Sequence, residues 1–274
     1  MTEKERLEKI ATQYEKIVQK LQNRAAKEVQ LLYPRLRDDL VLLIDSMQYS
    51  DPAIMVQMLN SLQNQFSNDL KSVVYKLIDE AQTVAYRKYM SELLVIMNFD
   101  LDKESFNKAL NLYRKNVPVK VDKRYISKRI WEINSKNFKL LKKELKKGLY
   151  KGLPASELAE KLEQFLISPL PVGAGIYRSA EANTIRLART EIKRAYQHKE
   201  HEQMKQLPFV KGVRVHLSKA HPEPDMCDEL AGVYPPDFVF GGWHPNCICY
   251  TTFERCSKEA VSYTHLTLPT KRIV

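Results

Sequence analysis

Along the first hundred residues the apolar side chains return at steps of three and four, a spacing that admits one regular structure. Leu7, Ile10, Tyr14, Ile17, Leu21, Ala25, Val29 and Leu32 line one face of a helix over residues 3–32. Pro34 interrupts it, and Leu36 to Met47 resumes the pattern. Ser50-Asp51-Pro52 is a start signal, with Asp51 as N-cap and Pro52 at the first helical position. The helix that follows runs to Met97 on Met55, Met58, Leu62, Phe66, Leu70, Val74, Leu77, Ala81, Val84 and Leu94. A further helix is expected near Lys103–Lys115, capped by Asp102. The spacing also suits coiled-coil arms.

After Asn116-Val117-Pro118 a basic amphipathic helix is expected from Asp122 to Tyr150. Its apolar side is Ile126, Ile130, Ile133, Leu140, Leu141, Leu145 and Leu149. The chain carries a formal charge of +11, and the excess is concentrated here. Between Lys120 and Lys151 twelve basic residues face three acidic ones, Asp122, Glu132 and Glu144, giving 12 − 3 = +9. Two readings stand: a solvated helix face, or a face that meets a polyanion such as DNA through Lys128, Arg129, Lys136, Lys139, Lys142, Lys143, Lys146 and Lys147. Nothing in the segment reads a base sequence.

Gly152-Leu153-Pro154 turns into a short helix, ASELAEKLEQFL, and a Pro/Gly loop at 168–175 leads to a helix over 179–206. On that helix His198 and His201, beside Glu200 and Glu202, read as a solvated face. From Pro208 the character changes: PFVKGVRVHLS and CICYTTFE read as strands. The fold class expected is mainly α, a long-helix N-terminal body (1–150) followed by a helical part (151–207). A small α+β module (208–256), stapled by zinc, completes it. Residues 261–274 are expected to be foreign: VSYTHLTLPT is the translation of a sequencing adaptor, so His265 enters no functional argument. No apolar run is long enough to cross a bilayer, and the charged N-terminus has no signal-peptide core, so cytoplasmic synthesis is expected.

The segment HPEPDMCDELAGVYPPDFVFGGWHPNCICY (221–250) holds three of the four cysteines. Clustered thiols and imidazoles in a reducing compartment point to a metal. The ligand set read from the residues is His221, Cys227, Cys247 and Cys249, with His244 as substitute for one of them; His244-Pro245-Asn246-Cys247 has the turn formers of a metal knuckle. Packed thiols and a disulfide are the competing readings, and Cys256 reads as an ordinary thiol. His221-Pro222-Glu223 also matches the H-x-E of zinc deaminases, but the partner P-C-x-x-C is displaced in Pro245-Asn246-Cys247-Ile248-Cys249.

The order LARTEIKRAYQHKEHEQM, then SKAHPEPDMCDELAGVYP, then HPNCICY resembles the Mu F-like minor head proteins of tailed phages, the phage head morphogenesis family, over residues 150–255. Arg189, Thr190 and Glu191 match its helix motif. Asp225, Cys227, Leu230 and Gly232 match its turn, and His244, Pro245, Cys247 and Cys249 its ending. Two departures are Ile248, often arginine in the family, and a single cysteine before the L-x-G where many members have C-x-x-C. The resemblance implies a minor capsid protein made in the host cytoplasm and built into the virion head. Its implied partners are the portal and other head proteins, with a role in assembly, DNA packaging or delivery. Arg189, Thr190 and Glu191 are expected to form a polar network holding the helix to the small module, and Gly232 to make a tight turn. No catalytic constellation is visible. The competing reading is a zinc hydrolase or nuclease carried by a phage or mobile element.

Overall fold

The computed structural model describes residues 2–46, 52–97, 120–121, 124–151, 153–167, 179–205, 207, 210–218 and 224–255. It is mainly helical, with a small antiparallel sheet near its C-terminal end. Helix α1 (Glu3–Gln30) begins at a capping box, Thr2 with Glu5. Helix α2 (Leu32–Ser46) carries Pro34 in its first turn, where the missing N–H breaks no intrahelical bond. The break therefore falls at Leu31 rather than at the proline. Helix α3 (Pro52–Met97) is a single rod of 46 residues, as the spacing predicts. The helix expected at 103–115 lies outside the described residues.

A hairpin that the sequence reading missed, β1 (Lys120–Val121) with β2 (Arg124–Tyr125), precedes α4 (Ile126–Tyr150). Helices α5 (Ala155–Ile167) and α6 (Ala180–Met204, capped by Ser179) follow. The module contains β3 (Val210–His216), α7 (Met226–Leu230), β4 (Gly232–Tyr234) and β5 (Tyr250–Arg255). Its sheet has the order β4-β3-β5, all antiparallel.

Rather than standing out as coiled-coil arms, α1, α3 and α6 pack against one another, and α4 lies on α3. One continuous apolar core runs from Val18 on α1 through Leu70 and Leu77 on α3 to Ile192 and Tyr196 on α6. Helix α6, on the far side of the boundary expected at 150, thus shares the core of the N-terminal body. The buried stripe of α1 is Ala11, Glu15, Val18, Leu21, Gln22, Ala25 and Val29; it keeps Leu21, Ala25 and Val29 of the expected face and departs from it by one position in the first half of the helix. Leu7, Ile10, Tyr14 and Ile17 are left half-buried at its edge.

Polar groups in that stripe have partners across the bundle. Glu15 pairs with Lys193, and the Gln22 amide donates to the Arg189 carbonyl at 3.0 Å. Lys88 of α3, 1% exposed, pairs with Glu200 of α6 and Glu92 of its own helix, and donates to the Thr251 carbonyl of β5 at 2.8 Å. Its ammonium also lies 5.8 Å from the centre of the Phe253 ring. Thr251 Oγ1 donates towards Gln197 and Glu200. The module is thereby pinned to the helices at one ionic hub. His201, 7% exposed, adds a contact from Nε2 to the Pro236 carbonyl at 3.1 Å. The solvated-face reading therefore holds for His198, beside Glu202 at 3.5 Å, and fails for His201 and Glu200.

Glu15, Glu92 and Glu200 outnumber Lys88 and Lys193 by one charge. Burial raises Glu92 from its ordinary 4.5 to about 7, against the pull of Lys88. A raised folded-state pKa contributes stability that is complete below 4.5 and lost as pH climbs through 7. Glu92→Gln should therefore stabilise the chain at pH 8 by up to about 3 kcal/mol and hardly at all near pH 4. Thermal melts of both proteins across that range check the sign; equal slopes with pH would refute it.

Candidate metal centre

The segment between β3 and β5 folds around three buried thiols, Cys227, Cys247 and Cys249. Asp225 caps α7: its Oδ1 accepts the Cys227 N–H at 2.6 Å, and Asp228 closes the reciprocal bond to the Asp225 N–H at 2.8 Å. This fixes Cys227 in the first turn of α7, pointing inward. On the other side, His244-Pro245-Asn246-Cys247 closes a turn in which the Cys247 N–H donates to the His244 carbonyl at 3.2 Å. Pro245 occupies the second position and Asn246 the third with φ 64°, the left-handed conformation that asparagine tolerates. Gly242, at φ 88°, lets the chain pass over it; a Cβ there would stand 3.1 Å from Cys247 Cβ. The knuckle that the sequence predicts is present, and it faces Cys227.

The two sides converge. Cys227 Sγ is 3.8 Å from Cys247 Sγ, and His244 Nε2 is 3.1 Å from Cys227 Sγ. The ligand atoms of Cys227, His244 and Cys247 all lie within 4.8 Å of one another, close enough to hold a metal ion. His244 Nδ1 lies 2.8 Å from the Pro245 carbonyl, which can only accept. Asp225 Oδ2 approaches His244 Nε2 at 3.1 Å. A metal at Nε2 would require the tautomer with the proton on Nδ1 and would take the place of the carboxylate contact at Nε2.

Cys249 stands outside the mutually close set, with its thiol interacting electrostatically with those of Cys247 and Cys227. Hydrogen bonding from the Cys249 thiol lowers Cys247 to about 5, against the opposing effect of burial. Burial, then the negative charge of Cys247, pushes Cys227 up to about 12, and the bond to Cys247 raises Cys249. The pocket thus tolerates one thiolate and resists a second. A divalent cation reverses that balance, so these donors fit one. Val215 and Phe240 complete the buried cluster around the thiols, with Leu217, Tyr234, Phe238 and Trp243 packed around them; Val213 and Tyr250 are also buried in the module. Tyr234 and Phe238 stack at 4.2 Å, and Trp243 meets Phe240 edge-on at 5.2 Å.

His221, Glu223 and Cys256 lie outside the described residues. His244 therefore takes the histidine position in the described cluster. The family-motif residues distribute differently from expectation. Glu191, 1% exposed, bonds Arg129 of α4 at 2.6 Å and Arg194 at 3.3 Å, so among the described residues it ties α6 to α4 rather than to the module. Thr190 donates to the Arg186 carbonyl within its own helix, and Arg189 lends its carbonyl to Gln22. Gly232 opens β4 and pairs with Val215 of β3, so it lies in a strand and not in the tight turn expected. Leu230 ends α7, where its carbonyl accepts the Tyr234 hydroxyl at 2.7 Å.

Among the basic residues of α4, Arg129 is committed to Glu191, and Lys142 donates to Asn60 and Gln63 of α3 at 2.7 and 3.3 Å. Neither belongs to an outward polyanion face. Lys128, Lys136, Lys139, Lys143, Lys146 and Lys147 are exposed. Leu140, expected on the apolar side, is 50% exposed. No helix among the described residues is long and apolar enough to cross a membrane.

No family model, curated protein or solved structure matches this chain.

Metal binding should show as a rise in the thermal midpoint when zinc or cobalt is added to chelator-treated protein. Cys247→Ser should abolish that rise; an unchanged rise would remove Cys247 from the centre. Gly242→Ala should destabilise the module by about 1–3 kcal/mol through backbone strain at the knuckle, read from denaturant midpoints.

Proposed function

We propose that the chain is a phage minor head protein whose C-terminal module is stapled by a structural zinc ion. The observation that carries the reading is the meeting of Cys227 with His244 and Cys247 from two separate turns. It gives a physical purpose to two of the three motifs, the turn and the ending, on which the resemblance to the Mu F-like family rests. Cys227, His244 and Cys247 would hold the metal, with Cys249 beside them as the fourth donor. Zinc suits three sulfurs and one nitrogen. A tetrahedron with zinc–sulfur bonds of about 2.3 Å has sulfur–sulfur edges of about 3.8 Å, which agrees with the 3.8 Å between Cys227 and Cys247. The 3.1 Å His244–Cys227 contact is shorter than a zinc-bridged edge and is a hydrogen-bond distance. Four protein donors leave no position for a reacting water, which favours a structural ion over a hydrolase. Bound there, zinc supplies cross-linking energy to a module with too small an apolar core to stand alone.

The helical body serves as the surface for partners, the portal and other head proteins in the virion. The six exposed lysines of α4 suit non-specific contact with packaged DNA through phosphates. Two measurements test the reading. Purified protein should contain one zinc per chain and lose it in Cys249→Ser; metal-free, fully folded wild type would sink the staple. The genes flanking the locus in an intact source should include a portal gene, and co-expression with that portal should yield a complex. Neighbours of another kind, with no portal complex, would sink the head-protein assignment while leaving the metal untouched.

A further inference from the structure

Between α2 and α3 lies an open groove of about 330 Å³. Its floor is apolar, formed by Leu36 and Phe66, both buried. Its rim is acidic: Asp39 on α2 and Asp69 on α3 stand on opposite banks, and no ion-pair partner meets either among the described residues. One base, Arg35, stands among them. On α4 the chain carries the inverse surface. Leu140, 50% exposed, projects from the helix, whereas Leu141 and Leu145 are buried in the core. Exposed Lys136 and Lys143 lie four residues before it and three after, on the same side of the helix. Glu144, one turn on, is the only acid next to it.

The geometry points to a head-to-tail contact between copies of this chain, in which Leu140 of one copy seats in the α2–α3 groove of the next. Lys136 and Lys143 then meet Asp39 and Asp69, and Glu144 meets Arg35. The leucine alone would be a weak anchor and the charges alone a screened one. Together they supply an apolar centre with a charged rim of fixed sign, the arrangement that sets register in an interface. A copy cannot satisfy its own groove. Lys142 of α4 bonds Asn60 and Gln63, which puts α4 against a different side of α3 from the one carrying Gln65 and Asp69. The contact therefore joins two unlike surfaces, and such contacts propagate into rings or open chains instead of closing as a two-fold dimer. An interfacial helix on a lipid surface would need a free apolar face, and that of α4 is occupied by α3. The contact needs neither the metal nor DNA, so it goes beyond the head-protein reading and stands or falls separately.

Sedimentation velocity on the full chain tests it. Wild type should grow with concentration past the dimer at low salt and revert towards monomer at high salt. Leu140→Asp, which spoils the knob, and Asp39→Lys with Asp69→Lys, which spoils the groove, should each weaken association by at least about tenfold. Both alter exposed or rim positions; unchanged helicity and metal content confirm folding, and Leu140→Ser serves as a milder knob variant. Mixing the knob-dead and groove-dead proteins should produce a one-to-one complex and nothing larger, because one intact knob and one intact groove remain between them. A wild type that stays monomeric at high concentration overturns the inference. So does association that survives both variants, or a mixture that behaves as its separate components do.

Discussion

A single ammonium group decides how this molecule is put together. Lys88 sits near the middle of the core, where an unpaired charge is intolerable, and it is held by carboxylates from α3 and α6 and a carbonyl from β5. Each partner comes from a different part of the fold. The attraction of Glu200 and Glu92 overcomes the burial that would otherwise strip the proton, and the balance leaves Lys88 more firmly protonated than a lysine in water. Replacing this hub by leucines could be as stable, but leucines would not dictate which edge of the sheet meets which turn of the helix. The ionic hub supplies orientation, and the apolar core around it supplies most of the stability.

That orientation also ties the cluster of Cys227, His244 and Cys247 to the helical body. Thr251, which bonds the hub, is two residues beyond Cys249, and Tyr250 between them opens β5. On one side the strand is fastened to α6 and α3; on the other it leads into the thiol cluster. The module is therefore anchored by charge towards the helices, two residues along the chain from a cluster of sulfur and imidazole that could hold a metal ion.

Much of the helical architecture is legible because burial by one face imposes a period. Helix α3 and the start signal at Asp51-Pro52 are examples, and so are the knuckle residues His244 to Cys247. Other features escaped because they break the equation of apolar with buried. Glu15 interrupts the true stripe of α1, so in the first half of that helix a tally of leucines and isoleucines settled one position away, while Leu21, Ala25 and Val29 are buried as expected. Lys88 and Glu92 do carry a signal: they continue the series Val74, Leu77, Ala81, Val84 at the same spacing. A charged pair in a core register asks for partners, yet nothing local says that they lie at Glu200 and Thr251. Leu140 failed the opposite way, an apolar residue next to Leu141 that the helix turns outward. The two-residue strands β1 and β2 are too short to leave a periodicity at all. The pairing of Glu191 with Arg129 across 62 residues was beyond a motif read along a single helix.

The distances along the chain between Lys88 and its partners have a consequence for how the protein is made. Glu200 follows Lys88 by 112 residues and Thr251 by 163. On a ribosome, α3 is complete long before either has been synthesised, so for most of translation the bundle contains a lysine that has to remain in water. The early helices cannot close on themselves in their final packing, and premature burial is penalised by the very group that later locks the fold. Completion waits for β5, and the body and the module reach their final packing together as one late event.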